Sequence, residues 1–393
     1  MTSVQLNFSI AEYEQRLKKT RCAMEAAGIE LLISVDPSNM SWLTGYDGWS
    51  FYTPQCVFLT LSEGPFWYGR AMDAKGALRT VYMPPQQIIE YPDHYVMTPK
   101  RHAMDLLANI ITDRGWGSLR IGVEMDNYYF SAAAFAALQK GLPNAAFADA
   151  NVLVNWQRTV KSEQELIYMK RAGRIVERMH KRIFELMEPG LRKNDLVAEI
   201  YRASIQGADG HGGDYPAIVP MVPSGIDASA AHLTWNDLPL KSGVGTFFEI
   251  AGCHRRYHCP LCRTIYLGEP PEKFLNAEQA VLDGMQAGLE AARVGNLAED
   301  IAIAFNRVLK KYGITKDARS GYPIGLSYPP DWGERTISIR PGDKSVLEEN
   351  MTFHFMTALW SDDWGFEITE SLIIRDREPE LLANYPRKLF VKN

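Results

Sequence analysis

The sequence predicts an α/β N-terminal domain followed by an α+β C-terminal domain. Three patterns predict it. Through about the first 150 positions, short apolar runs alternate with helical stretches. Between residues 150 and 161 that alternation gives way to a long amphipathic segment. Beyond it, helix pairs alternate with groups of strands. The domains are therefore set at 1–158 and 159–393, and a chain of 393 residues is long enough for two.

The elements follow in order. Residues 8–28 predict a helix, with Ser9 as N-cap, Glu12 three positions on and Gly28 as the stop. LLISV, residues 31–35, predicts a buried strand. GYDGWSFYTPQCVFLTL sets Trp49, Phe51 and Tyr52 among glycines, the composition of a hydrophobic hairpin edge. FWYGRAMD, LRIGVEMDN and SAAAFAALQKGLP continue the alternation. In the second half, Ser162 with Glu165 forms a capping box that opens a long helix, and Pro189-Gly190 ends it. A second helix is expected over residues 195–206, and a further pair over 274–292 and 297–312. Between these pairs lies a hairpin, FFEIAGCHRRYHCPLCRTIYLG, with strands over 245–251 and 262–267 around a basic turn.

Composition excludes several classes. A net charge of −5 argues against a nucleic-acid surface. The longest apolar run, FSAAAFAAL, is too short to span a membrane, and the first residues lack the pattern of a secretory leader. Five cysteines, three of them within ten positions, fit a reducing cytoplasm better than a disulfide framework.

The chemistry concentrates in the second half. Glu249 interrupts an apolar strand, where a carboxylate is costly unless it is paired or functional. Cys253, Cys259 and Cys262 with His254 and His258 imitate a zinc knuckle. Only one Cys-x-x-Cys is present, however, and strand alternation need not bring those side chains together. The alternative is a set of buried thiols with turn histidines. Of eight histidines, His211, His232, His254 and His258 fall close together in sequence, and His354 lies in the apolar run MTFHFM. In GFEITESLII, alternation puts Glu370 on the apolar face, so it too calls for a partner. Arg263 and Arg335 are the candidate cations. Each can form a structural ion pair or hold an anionic or zwitterionic ligand.

Taken together, VKSEQELIYMKRAGRIVERM, PSGIDASAAHLTW, GTFFEIAG with CRTIYLG, GYPIGLSYPP, LEENMTFHFMTALW and ITESLII resemble, in order, the pita-bread family. This is the creatinase, prolidase and methionine-aminopeptidase group. The resemblance covers nearly the whole chain, and NMSWLTGY resembles the creatinase/prolidase-type N-terminal domain. It implies a pita-bread catalytic domain. The metallopeptidases of that group bind two metal ions through two Asp, one His and two Glu. Counted from the RT pair, those positions hold Glu249, Pro260, Tyr328 or Pro329, Met356, and Thr369 or Glu370. Proline and methionine cannot replace oxygen ligands for hard cations. The resemblance therefore points to the metal-free members, which hydrolyse C–N bonds of amidines and guanidines, with no cofactor expected.

The segments GYDGWSFY, EMDNYYFSAAA, HGGDYPAIVP, YPIGLSYPPDWGERT and FHFMTALW narrow this resemblance to members that open a cyclic amidine. Such a substrate is a small zwitterion, an amidinium bearing a carboxylate. Its product is an N-acetylated diamino acid that a downstream deacetylase would consume. The implied catalytic residues are Glu249 as the carboxylate facing the amidinium, either as nucleophile or as base toward water, His232 as proton donor, and His354 and Glu370 tuning that pair. Arg263 or Arg335 would hold the substrate carboxylate, and Tyr328, Trp332, Tyr52 and Trp49 would wall the flat cation. Creatinase-like dimers imply a homodimer whose N-terminal domain caps the neighbour's pocket. Two other readings stay open at this point: a creatinase-like hydrolase of guanidines, and a ligand-binding relative without catalysis.

Overall fold

The computed structural model describes residues 4–392. Two compact units make up the chain, one ending at Arg158 and the other beginning at Thr159.

The N-terminal unit is a six-stranded mixed sheet with helices on both faces. Its strands are β1 (Leu31–Ser34), β2 (Cys56–Thr60), β3 (Phe66–Arg70), β4 (Ile88–Tyr91), β5 (Arg120–Val123) and β6 (Ala146–Asp149). They lie in the order β4-β3-β2-β1-β5-β6. The helices are α1 (Ile10–Ala26), α2 (Pro37–Thr44), α3 (Ala71–Thr80), α4 (Ala103–Asp113), α5 (Ala132–Gly141) and α6 (Leu153–Arg158). Ser9 caps α1 by accepting the Glu12 N–H, as its sequence predicts. Trp49 and Tyr52 lie in the connection from α2 to β2 and are 57% and 62% exposed.

The C-terminal unit opens with α7 (Glu163–Leu186) and α8 (Lys193–Gln206). Ser162 and Glu165 form the reciprocal capping box at the start of α7. The hairpin follows as β7 (Gly245–His254) and β8 (Tyr257–Leu267). It is longer than its sequence suggests, because the basic turn contracts to Arg255 and Arg256, both at positive φ (52° and 66°). That is the geometry of a two-residue hairpin turn matched to strand twist. Next come α9 (Glu272–Ala291), α10 (Ala298–Lys311), β9 (Gly321–Pro323) and β10 (Thr352–Met356). The last strands are β11 (Leu359–Trp360), β12 (Gly365–Phe366), β13 (Thr369–Ile373), β14 (Glu380–Leu381) and β15 (Phe390–Lys392).

Three sheets result: β15-β8-β7, β14-β13-β10-β9 and β11-β12. α7 packs against β7 so closely that a Cβ on Gly252 would lie 2.1 Å from the Ala172 carbonyl oxygen. α9 and α10 bury Phe274, Met285, Ile301 and Phe305 against Phe353 and Phe355. Side-chain bonds tie β8 to β13: the Cys262 N–H donates to Thr369 Oγ1 at 2.8 Å, and Ser371 Oγ donates to the Pro260 carbonyl at 2.5 Å. Among the described residues, no helix is long and apolar enough to cross a membrane.

Candidate active site

Alternation along β7 and β8 decides which residues share a face. Glu249 pairs with Cys262, and Cys253 with His258. Gly252 pairs with Cys259, and His254 with Tyr257, on the opposite face. The knuckle-like cysteines and histidines are thus split between two faces. Among the described residues, no group of three or more His, Cys, Asp or Glu side chains is arranged to hold a metal ion. His258 is instead a buried structural histidine whose Nε2 accepts the Ala217 N–H at 2.8 Å.

Glu249 is buried, 3% exposed, and no side-chain hydrogen bond holds its carboxyl among the described residues. Burial raises it well above the ordinary carboxylate range, and the negative charges of Glu367 and Asp331 push the same way. Glu367 is fully buried and accepts the Cys262 thiol proton at Oε2, 2.8 Å away. Burial lifts it to about 7, against the opposing pull of that bond and of Lys316. Asp331 is raised by burial while Arg319 and Arg335 draw it down. Glu367 and Asp331 thus both act on the buried Glu249 carboxyl, and a cation entering there would favour its ionised form. Met221, Phe247 and Cys262 form the apolar lining, with Trp360 packed against them.

A second layer fixes this face. His354 lies between two hydroxyls, with Nδ1 3.0 Å from Tyr322 Oη and Nε2 2.8 Å from Thr369 Oγ1. Burial lowers it to about 3, so the imidazole stays neutral. The Trp332 indole N–H donates to Tyr322 Oη at 2.8 Å. The Arg319 guanidinium lies 4.5 Å from the Tyr322 ring centroid. Among the described residues it makes no hydrogen bond or ion pair. Lys316 donates to the Ala358 carbonyl at 2.8 Å and lies 4.8 Å from the Trp360 ring centroid. A cavity of about 430 Å³ opens beside it, lined by Leu359, Trp360 and Trp364. A larger groove of about 560 Å³, between α7 and α8, is lined by mutually paired charges such as Arg182 and Glu199 and contains none of these groups.

Several sequence expectations are corrected. Thr369 stands opposite Met356, and Glu370 opposite Phe355, so Glu370 projects from the other face of β13. There it meets Arg263 at 2.7 Å, both side chains 1% exposed. All five Arg263 donors are spent: on Glu370 and on the carbonyls of Cys262, Thr369, Tyr385 and Pro386. Arg263 therefore has no donor left for a substrate carboxylate, and Glu370 is its counter-ion. Trp332 is fully buried and serves as a hydrogen-bond donor rather than an open wall. Tyr328 is buried near Arg256, whose guanidinium lies 5.7 Å from its ring at the hairpin tip. His232 sits on an exposed loop. That loop is tied towards β7, because Val222 N–H donates to the Thr234 carbonyl while Met221 bridges Glu249. Arg335, at φ 61°, joins the site through its charge on Asp331. Glu367, Asp331, Arg319 and Tyr322 escaped the sequence reading. The signal for Tyr322 and Asp331 lies within GYPIGLSYPPDWGERT, beside Tyr328, Trp332 and Arg335.

The positions that would hold two metal ions carry Glu249, Pro260, Tyr328 or Pro329, Met356 and Thr369, with Glu370 turned away. This donor set does not fit a pair of hard cations.

Comparison with known proteins places this geometry. Residues 167–376 match the metallopeptidase family M24, and residues 16–160 match the creatinase/prolidase N-terminal domain. The chain belongs to family M24. As a family member it is 58% identical to the ectoine hydrolase of Halomonas elongata, over 100% of both chains. It is 41% identical to an uncharacterized hydrolase/peptidase of Sinorhizobium fredii, over 99% of each. Among solved structures, the prolidase of Thermococcus sibiricus superposes with a TM-score of 0.84 at 18% identity, covering 98% of this chain and 100% of that one. The dipeptidase PepE of Mycobacterium ulcerans gives 0.80 at 21%, covering 98% and 99%. These two establish the pita-bread fold alone.

Proposed function

We propose that this chain opens the ring of ectoine, a cyclic amidinium bearing a carboxylate, by adding water to the amidine carbon. The product is N-acetyl-L-2,4-diaminobutyrate. The observation that carries the reading is Glu249: a buried carboxyl with no side-chain hydrogen bond among the described residues, flanked by Glu367 and Asp331. Such a site suits an organic cation, and the full-length identity to an ectoine hydrolase supports the substrate.

An amidinium is already electrophilic, so the chemistry needs a base, a proton path and an anchor for the carboxylate. Glu249 acts as base toward the attacking water, and its raised pKa strengthens it in that role. Arg319 holds the substrate carboxylate, since its donors are uncommitted, with Arg335 behind it through Asp331. His232 carries the proton from Glu249 out to the departing amine, from a loop open to solvent. No step is routed through a metal, because the donor set does not fit one.

We also assign the enzyme to the cytoplasm, consistent with five free thiols. A homodimer in which Trp49 and Tyr52 cover the neighbour's pocket fits their exposure; light scattering that gives a monomer at assay concentrations would remove it. The test of the function is Glu249→Gln against the unsubstituted chain, with ectoine and creatine as substrates. Ring opening of ectoine should disappear in the variant while its melting temperature holds. Near-normal turnover by Glu249→Gln, or a preference for creatine, would sink the assignment.

A further inference from the structure

The hydrogen bonds behind Glu249 contain one more proton than they have acceptors. Trp332 Nε1 and the Cys262 amide can only donate, so the two ends of the chain are fixed. Between them lie Tyr322 Oη, His354 Nδ1 and Nε2, and Thr369 Oγ1. Two proton orders are available. With the imidazole proton on Nε2, His354 and Cys262 both donate to Thr369, and Tyr322 donates to Nδ1. The Thr369 hydroxyl proton then has no acceptor in a fully buried position, which is unfavourable. With the imidazole proton on Nδ1, Thr369 donates to Nε2 and His354 donates to Tyr322. The surplus proton is then on Tyr322, which is 7% exposed. Glu249 and Asp331 act electrostatically on that side chain. The second order moves the unpaired proton off Thr369, which is 0% exposed, to Tyr322, where a bound substrate can supply its acceptor.

We propose that Tyr322 is a catalytic residue that donates to the departing ring nitrogen of the amidine; this rests on the ring-opening reading above. Both protons of the attacking water must finish on that nitrogen. Glu249 takes the first as the new C–O bond forms. As the C–N bond breaks, Tyr322 gives its proton to the nitrogen and takes the proton shed by the oxygen that becomes the carbonyl. The phenol is thereby restored. The proton on Glu249 then passes to the amine, which leaves as ammonium, and Glu249 returns to the carboxylate. Trp332 and His354 both donate to the Tyr322 oxygen, and the Arg319 charge lies 4.5 Å from the ring, so negative charge gathering on that oxygen is supported. His354 is a positioning residue here, as a neutral donor that orients the phenol.

Two replacements test this, each assayed beside the unsubstituted chain with ectoine. Tyr322→Phe should lower kcat roughly 100- to 10,000-fold while KM stays within about threefold. Replacing Tyr322 with 3,5-difluorotyrosine keeps both accepted hydrogen bonds and makes the phenol more acidic. The basic limb of its kcat–pH profile should move to lower pH, and this arm decides the matter if the Phe variant does not fold. A Phe variant with kcat within about threefold of the unsubstituted chain, or an unmoved profile with difluorotyrosine, overturns the role of Tyr322 alone. An unsubstituted chain that leaves ectoine intact overturns the ring-opening reading, and the role of Tyr322 with it.

Discussion

Replacing Glu370 by Ala separates two roles that its sequence position left open. Arg263 and Glu370 are each 1% exposed and 2.7 Å apart. Four of the five Arg263 donors go to neutral carbonyls, so Glu370 is the anion in direct contact with the guanidinium. Removing one member of a buried pair leaves a charge without compensation, which costs about 3–5 kcal/mol. Arg387, with its Nε 3.5 Å from the same oxygen, is 34% exposed and can turn to solvent, so it adds little to the loss. For a domain of this size, each kcal/mol shifts Tm by about 2–4 °C, so a fall of roughly 6–20 °C is expected. Differential scanning calorimetry reads the fall, and ectoine turnover measured well below Tm should stay close to that of the unsubstituted chain. An unchanged Tm with turnover lost would refute the reasoning and return Glu370 to the catalytic group.

Two further predictions concern the acidic face. Burial lifts Glu367 from its ordinary 4.5 to about 7, so the folded chain holds this proton to a higher pH than the unfolded chain does. Its contribution is complete below the unfolded value and is lost as pH rises through about 7, a change of roughly 3 kcal/mol. Glu367→Gln should flatten the pH dependence of urea-unfolding stability across that window; an unchanged slope would show that Glu367 is not the titrating group. Arg319→Met removes a charge-assisted contact to the substrate carboxylate worth about 1.5–3 kcal/mol, so KM should rise roughly 10- to 100-fold with kcat little changed. An unmoved KM, with the effect appearing in Arg335→Met instead, would move the anchor to Arg335.

Much of the plan was legible because local signals agreed with the global ones. Ser9 and Ser162 cap the helices they were expected to cap, and Glu249 lies in the strand its apolar neighbours define. Glu370 shows where such reading stops. Alternation placed it on an apolar face, but every residue of β13 is buried, so both faces are internal and only the pairing register tells them apart. Turn length hid the division of the cysteine and histidine cluster, since a two-residue turn sets which side chains share a face. Arg319, Tyr322 and Asp331 meet through short strands and loops with no periodic signal. Glu367 falls three positions before Glu370, on the opposite phase of the alternation, yet it too is fully buried, against Cys262.

The most direct test of the central claim, hydrolysis of an amidinium by protein side chains, is product analysis by NMR. The chain would be dialysed against a strong chelator, checked for residual metal, and incubated with ectoine. The account predicts conversion to N-acetyl-L-2,4-diaminobutyrate at the same rate as before dialysis. Intact ectoine, or conversion that returns only when a divalent metal is added back, would contradict it.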